Sequence, residues 1–230
     1  MAQSQRGLDR RVFRHSQETF ATDVALIASE FLAGFKLVQQ IDRPAVSIFG
    51  SARVLEGMPT YESARETGRA FAEAGFAVVT GGGPGVMEAA NRGCKEGGGL
   101  SVGFNIELPH EQGVNAWCDL SLTFHHFYAR KVMFVKAAEG FVNFPGGYGT
   151  QDELWEALTL IQTGKIGVFP VVLFDSDYWD EMLDWLRKEM LEDGLISSED
   201  VELLHVTDDP HDAVELVTSR YKTRVAEGSA

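Results

Sequence analysis

Residues 141–153 read Phe141-Val142-Asn143-Phe144-Pro145-Gly146-Gly147-Tyr148-Gly149-Thr150-Gln151-Asp152-Glu153. A short apolar run is followed by a glycine turn and by the start of a helical pattern that continues to residue 163. An apolar run of this length bounded by Pro and Gly is a strand signal, and the amphipathic stretch after it is a helix signal.

The same triplet recurs along the chain. Apolar runs at 45–49, 77–80, 100–105, 120–124, 141–144, 168–174 and, more weakly, 203–206 alternate with helical patterns over 61–74, 85–96, 125–139, 150–163, 178–192 and 212–224. Such alternation builds βαβ units with parallel strands. Val46-Ser47-Ile48-Phe49 and Val171-Val172-Leu173-Phe174 are apolar almost throughout, as strands covered on both faces are. The expected fold is α/β: a doubly wound, mostly parallel Rossmann-like sheet with helices on both faces. Ahead of it, Phe20, Val24, Ile27, Phe31, Phe35 and Val38 recur at three- and four-residue steps, which predicts a packed helix over 16–40. The expected organisation is one domain over 16–225, with its core at 45–175 and an acidic part at 175–225. Residues 1–15, which carry Arg6, Arg10, Arg11 and Arg14, read as a mobile tail. The segment 109–119 is the longest irregular piece, as functional or mobile loops are.

With 230 residues, 44% of them hydrophobic, the chain can bury a large core, which excludes global disorder. The 34 acidic against 20 basic residues give a net charge of −14, which disfavours nucleic acid and anionic lipid as partners. Between 175 and 212, 14 acidic residues face only Arg187 and Lys188, so the remainder is nearly neutral and can host an anion. No run approaches the ~18 apolar residues of a membrane span, and the first twenty residues lack the apolar segment of a secretory signal. The two cysteines, Cys94 and Cys118, form no CxxC or Cys/His ligand spacing, so neither a disulfide framework nor a metal site is expected, and a reducing cytoplasm fits.

Open parallel sheets bind ligands beyond the carboxyl ends of their strands. The first candidate loop there is Thr80-Gly81-Gly82-Gly83-Pro84-Gly85-Val86-Met87-Glu88, in which Gly82, Gly83, Gly85 and Met87 line a helix start suited to a phosphate. No Gly-Lys-Ser/Thr follows, and Glu88 stands where GxGxxG needs its last glycine, which argues against a P-loop NTPase or a dehydrogenase. A plain tight turn with Glu88 favourable to the helix dipole is the alternative. The second loop is Pro145 to Glu153, quoted above. Here Thr150 and Glu153 also match the S/T-x-x-E capping box, which gives Glu153 a structural alternative. The third is His125-His126-Phe127-Tyr128-Ala129-Arg130-Lys131, with no acidic residue from 121 to 138. Arg130 and Lys131 sit about 100° apart on a helix, so they can flank an anion but do not share one face. A solvated basic edge paired with the acidic C-terminal region is the alternative.

Pro145-Gly146-Gly147-Tyr148-Gly149-Thr150-x-x-Glu153 resembles the PGGxGTxxE signature of the LOG (Lonely Guy) family. Arg130-Lys131, the 81–88 loop, Phe49-Gly50-Ser51-Ala52-Arg53 and Gly103-Phe104-Asn105-Ile106-Glu107-Leu108-Pro109 stand at matching order and spacing, so the likeness covers about 45–175. The leading helix and acidic C-terminus look like the larger bacterial branch. The resemblance implies hydrolysis of the N-glycosidic bond of a purine nucleoside 5′-monophosphate, AMP or a cytokinin riboside 5′-monophosphate, to free base and ribose 5-phosphate. It implies Glu153 as the catalytic carboxylate. Arg130 would act with it, on the phosphate or the leaving base, and Lys131 would neutralise part of the ligand. The N–H groups of Gly146, Gly147, Tyr148, Gly149 and Thr150 could bind the phosphate, Gln151 and Asp152 belong to the same substrate-binding turn, and Glu88 is a candidate for the ribose hydroxyls. A homodimer or larger homo-oligomer is implied. Members have been labelled lysine decarboxylases, yet the implied chemistry needs no cofactor and no metal. A nucleotide-binding or carrier protein without turnover is the reading from a different class.

Overall fold

The structure, a computed structural model, describes residues 17–108 and 113–228. The tail expected at 1–15 and part of the 109–119 loop lie outside these residues.

Seven strands form one sheet: β1 (Ala45–Phe49), β2 (Ala77–Thr80), β3 (Ser101–Ile106), β4 (Leu120–Phe124), β5 (Phe141–Asn143), β6 (Val171–Phe174) and β7 (Leu204–Thr207). Their order is β4-β3-β2-β1-β5-β6-β7, and every neighbouring pair is parallel. The five inner strands are buried at every position, whereas β4 and β7 are partly exposed, as edges are. The chain enters at β1, winds outward to β4, then returns to lay β5 on the other side of β1. That reversal puts the switch point, where the crossover loops part, between β1 and β5.

The helices are α1 (Gln17–Val38), α2 (Pro59–Glu73), α3 (Val86–Glu96), α4 (Phe127–Ala137), α5 (Tyr148–Gln162), α6 (Ser176–Trp185), α7 (Ser198–Val201) and α8 (Pro210–Ala226). Strand alternation sorts the core into two layers. Val46 and Ile48 face Phe71 of α2, Ala90 of α3 and Val217 of α8. Ala45 and Phe49 face the other side, with Leu37 of α1, Phe134 of α4, Leu154 of α5 and Trp179 of α6. A doubly wound sheet covered on both faces is therefore what the apolar runs encode.

Two local readings change. The helix expected over 178–192 starts at Ser176, capped by Asp175, and widens into a π turn at Leu186–Leu191. The short α7 has no apolar period to announce it, and is nucleated by a reciprocal capping box between Ser197 and Asp200. Among the described residues no helix is long and apolar enough to cross a membrane.

Candidate active site

A cavity of about 800 Å³ opens at the carboxyl ends of β1, β2, β3 and β5, at the switch point. Three loops build it. The loop after β1 joins the other two, because the Ser51 N–H donates to the Pro145 carbonyl at 3.0 Å and the Ser51 carbonyl accepts from the Val86 N–H at 3.0 Å. This contact explains Gly85, whose φ is +71° and where a Cβ would overlap the Ser51 carbonyl. Gly81 packs flat against the Arg130 guanidinium, which a Cβ there would also meet.

The capping reading of Thr150 and Glu153 is overturned. Helix α5 begins at Tyr148 behind Gly147, with no side-chain cap, so Thr150 and Glu153 stand inside the helix rather than at its end. An uncapped helix start leaves its N–H groups for a ligand, and the dipole favours an anion there. Thr150 lies against Gly146, and both line the cavity with Gly147, Tyr148, Gly149 and Gln151.

Glu153 projects from the next turn into the same cavity and is 5% exposed. Burial pushes its carboxyl up to about 7, against the opposing pull of Arg130 and Lys131. Arg130, one helix away on α4, donates Nε–H to the Phe104 carbonyl at 2.7 Å and lies 4.9 Å over the Phe134 ring. Burial draws its guanidinium below the ordinary value, with Glu153 and Asp152 opposing. The N-terminal end of α4 is fixed from α1: Glu30 accepts from the His125 and His126 N–H groups and pairs with His126 Nδ1 at 2.8 Å.

Not every expected site residue reaches the cavity. Glu153, Arg130, Gly83, Met87 and the 146–151 turn line it; Lys131, Asp152, Glu88, Gly82 and Gly85 do not. Lys131 points to α5, where Nζ pairs with Asp152 Oδ1 and Glu156 Oε2, both at 2.9 Å. Burial lowers its affinity for the proton, but the hydrogen bonds it donates to Glu156 and Asp152, with the charge of those carboxylates, outweigh this and leave it raised. The basic edge thus pairs with α5 and not with the acidic C-terminal stretch. Gly82 instead donates its N–H to Thr80 Oγ1 at 2.9 Å, and Glu88 is half-buried on α3.

Residues that sequence reasoning missed include Tyr178, whose hydroxyl reaches the Gly146 carbonyl, and Arg53 and Phe127 in the cavity wall. The Phe49 to Arg53 stretch carried a signal, as part of the family likeness, without a role attached. Asn115 was unannounced: its N–H donates to the Gly82 carbonyl, and its Nδ2 to the Gly83 carbonyl and to Asn91 Oδ1. The described part of the 109–119 loop is thereby tied to the glycine turn after β2. Burial pushes the Cys94 and Cys118 thiols to about 11 and 12, so neither is poised as a nucleophile at neutral pH.

The profile of a family described as possible lysine decarboxylase matches residues 87–217. A cytokinin riboside 5′-monophosphate phosphoribohydrolase of Mycobacterium tuberculosis is 32% identical over 161 residues, 66% of this chain and 82% of that protein. An uncharacterized protein of Archaeoglobus fulgidus is 36% identical over 100 residues, covering 43% of this chain and 64% of the relative. Among solved structures, the molybdenum cofactor carrier protein of Chlamydomonas reinhardtii matches with a TM-score of 0.58 at 25% identity, over 78% of this chain and 99% of that one. Decarboxylation of lysine through pyridoxal phosphate needs a lysine to form the Schiff base. Among the described residues no lysine lines the cavity, so the side chains present do not fit that group.

Proposed function

The chain belongs to the family described as possible lysine decarboxylases, which takes in the LOG phosphoribohydrolases, and from that membership we propose that it hydrolyses purine nucleoside 5′-monophosphates. The bond broken is the N-glycosidic one, and the products are free base and ribose 5-phosphate. AMP and cytokinin riboside 5′-monophosphates are the candidate substrates.

The observation that carries this reading is Glu153, buried beside Arg130 in a cavity whose adjoining wall is an uncapped, glycine-rich helix start. The phosphate sits on the N–H groups of the 146–149 turn, which puts the ribose over the next turn of α5, where Glu153 stands. As the C1′–N9 bond breaks, its electron pair leaves with the purine and positive charge gathers on the ribose. A fixed, buried carboxylate stabilises that charge. Glu153 takes a proton from the attacking water as its oxygen bonds to C1′, and passes that proton to the departing base, which returns the carboxylate to its ionised form. A carboxyl poised near 7 suits both transfers. Arg130 favours the ionised form of Glu153 against the larger effect of burial, and faces the negative charge that develops on the departing base. The reading takes the chain as one domain working as a homodimer or larger assembly in the cytoplasm, on a small-molecule substrate and without metal or cofactor.

The carrier reading keeps one observation in its favour, the fold shared with the Chlamydomonas molybdenum cofactor carrier. Turnover separates the two. Chromatography of adenine released from AMP, with isopentenyladenosine monophosphate in parallel and Glu153→Gln as control, is expected to show base from the wild type and almost none from the variant. Tight nucleotide binding with no base released from either substrate would favour the carrier.

A further inference from the structure

We propose that Arg53 selects the 5′-phosphate, closing its guanidinium over the phosphate held at the start of α5. This rests on the reading of the cavity as a nucleotide site.

Among the described residues that line the cavity, the cationic side chains are Arg53 and Arg130. Arg130 is committed. Its Nε–H is taken by the Phe104 carbonyl, its plane lies over Phe134, and it is buried next to Glu153, at the ribose end. Lys131 is held by Asp152 and Glu156 outside the cavity. A phosphate monoester brings a charge of about −1.5 to −2 at neutral pH, while a helix start offers the equivalent of roughly half a positive charge. The glycine turn alone leaves the phosphate under-compensated.

Arg53 is placed to supply the remainder. Its side chain is exposed and, among the described residues, pairs with no carboxylate. Its backbone is nevertheless fixed, because the Arg53 N–H donates to Ser51 Oγ at 3.1 Å and Ser51 is tied to both glycine-rich loops. A mobile guanidinium on a rigid loop at the cavity wall can swing onto a ligand without rearranging the fold, and its planar fork matches two phosphate oxygens. Six other arginines among the described residues are tied into ion pairs, Arg65–Glu96 and Arg92–Glu56 among them, whereas Arg53 at the cavity wall is left for a ligand.

The test measures binding of ribose 5-phosphate and of ribose to the full chain by calorimetry, then steady-state hydrolysis of AMP, for the wild type, Arg53→Ala and Arg53→Lys. Arg53→Ala is expected to weaken ribose 5-phosphate about 10- to 100-fold, the usual worth of a charge-assisted contact, and to leave its preference over ribose correspondingly smaller. The loss in hydrolysis should fall on KM rather than kcat, and Arg53→Lys should recover part of it. The salt dependence of binding should flatten in Arg53→Ala. Equal ribose 5-phosphate affinity in the wild type and Arg53→Ala, no binding by the wild type, or a loss confined to kcat would overturn the proposal. The two readings fail separately. Base release by the wild type with an unaltered KM in Arg53→Ala removes the role of Arg53 and leaves the hydrolase. Phosphate affinity that depends on Arg53 with no base release removes the hydrolase and leaves the phosphate site.

Discussion

The Tyr178 hydroxyl donates a 2.6 Å hydrogen bond to the Gly146 carbonyl, joining the first turn of α6 to the glycine turn 32 residues earlier. Asp175 makes the bond possible: as N-cap at φ +85° it turns the chain sharply out of β6 and accepts from the Tyr178 N–H. In a planar trans peptide the N–H points opposite to the carbonyl, so fixing the Gly146 oxygen also fixes the direction of the Gly147 N–H. Tyr178→Phe removes the donor and keeps the ring. The expected outcome is a KM for nucleotide raised several-fold and a stability loss of about 1 kcal/mol, seen as a melting temperature lower by roughly 2–4 °C. Kinetics and calorimetry check both, and an unaltered KM would deny Tyr178 a part in ordering the turn.

Glu153 should give activity and stability opposite pH signatures. If the ionised carboxylate is the working form, kcat/KM rises with pH through about 7 and then levels off. For stability the raised folded value means that, between about 4.5 and about 7, the native state keeps a proton that the unfolded chain has released. Stability therefore declines across that window, and above it the buried charge costs about 3 kcal/mol. Glu153→Gln is expected to melt higher than the wild type at pH 8 and alongside it at pH 4, while hydrolysis drops by about 100-fold or more. A helix-capping role predicts no such pH-dependent gain, so matched melting at pH 8 would count against the burial argument.

Lys131 separates position from chemistry. Its Nζ is held between Asp152 and Glu156, so Lys131→Ala leaves two carboxylates facing each other on α5. The expected result is a lower melting temperature, recovered in part by adding Glu156→Gln, with nucleotide affinity within about threefold of the wild type because only a partly exposed ion pair has been removed. A collapse in nucleotide affinity without a stability loss would return Lys131 to the ligand.

Asn91 is the hub of a buried polar network. It accepts from Thr80 Oγ1 at 2.6 Å and from Asn115 Nδ2 at 2.9 Å, and donates to Ser101 Oγ at 2.8 Å. Asn91→Leu strands these partners, which is expected to destabilise the fold by about 1–3 kcal/mol or more. Asn115→Ala frees the loop from the Gly83 carbonyl with a smaller stability cost, read by faster amide exchange across residues 113–119. Unchanged exchange there would show that backbone contacts alone hold the loop.

The architecture was legible because its signals are local. Val46-Ser47-Ile48-Phe49 needs no partner to read as a strand covered on both faces, and the alternation of such runs with helical periods leaves few topologies other than a doubly wound sheet. The glycine turns were legible for the same reason, since Gly85 marks a backbone that must approach Ser51 more closely than any side chain permits. Helix ends were not. Thr150 and Glu153 spell a capping box, yet α5 starts two residues before Thr150, because the turn is held by contacts from Tyr178 and Ser51 rather than by its own side chains.

The sequence by itself determined the order of the strands and of the longer helices, the glycine loops that line the cavity and the family to which the chain is similar. Only the tertiary structure decided which of two adjacent cations turns to the cavity. It also decided that Glu153 is buried enough to hold its proton to about 7, and that a tyrosine and an asparagine from distant segments fix the two glycine turns. Strand and helix signals are carried by neighbours within a few residues, whereas burial, side-chain direction and long-range hydrogen bonds depend on how elements pack, and packing brings together residues that no local pattern relates.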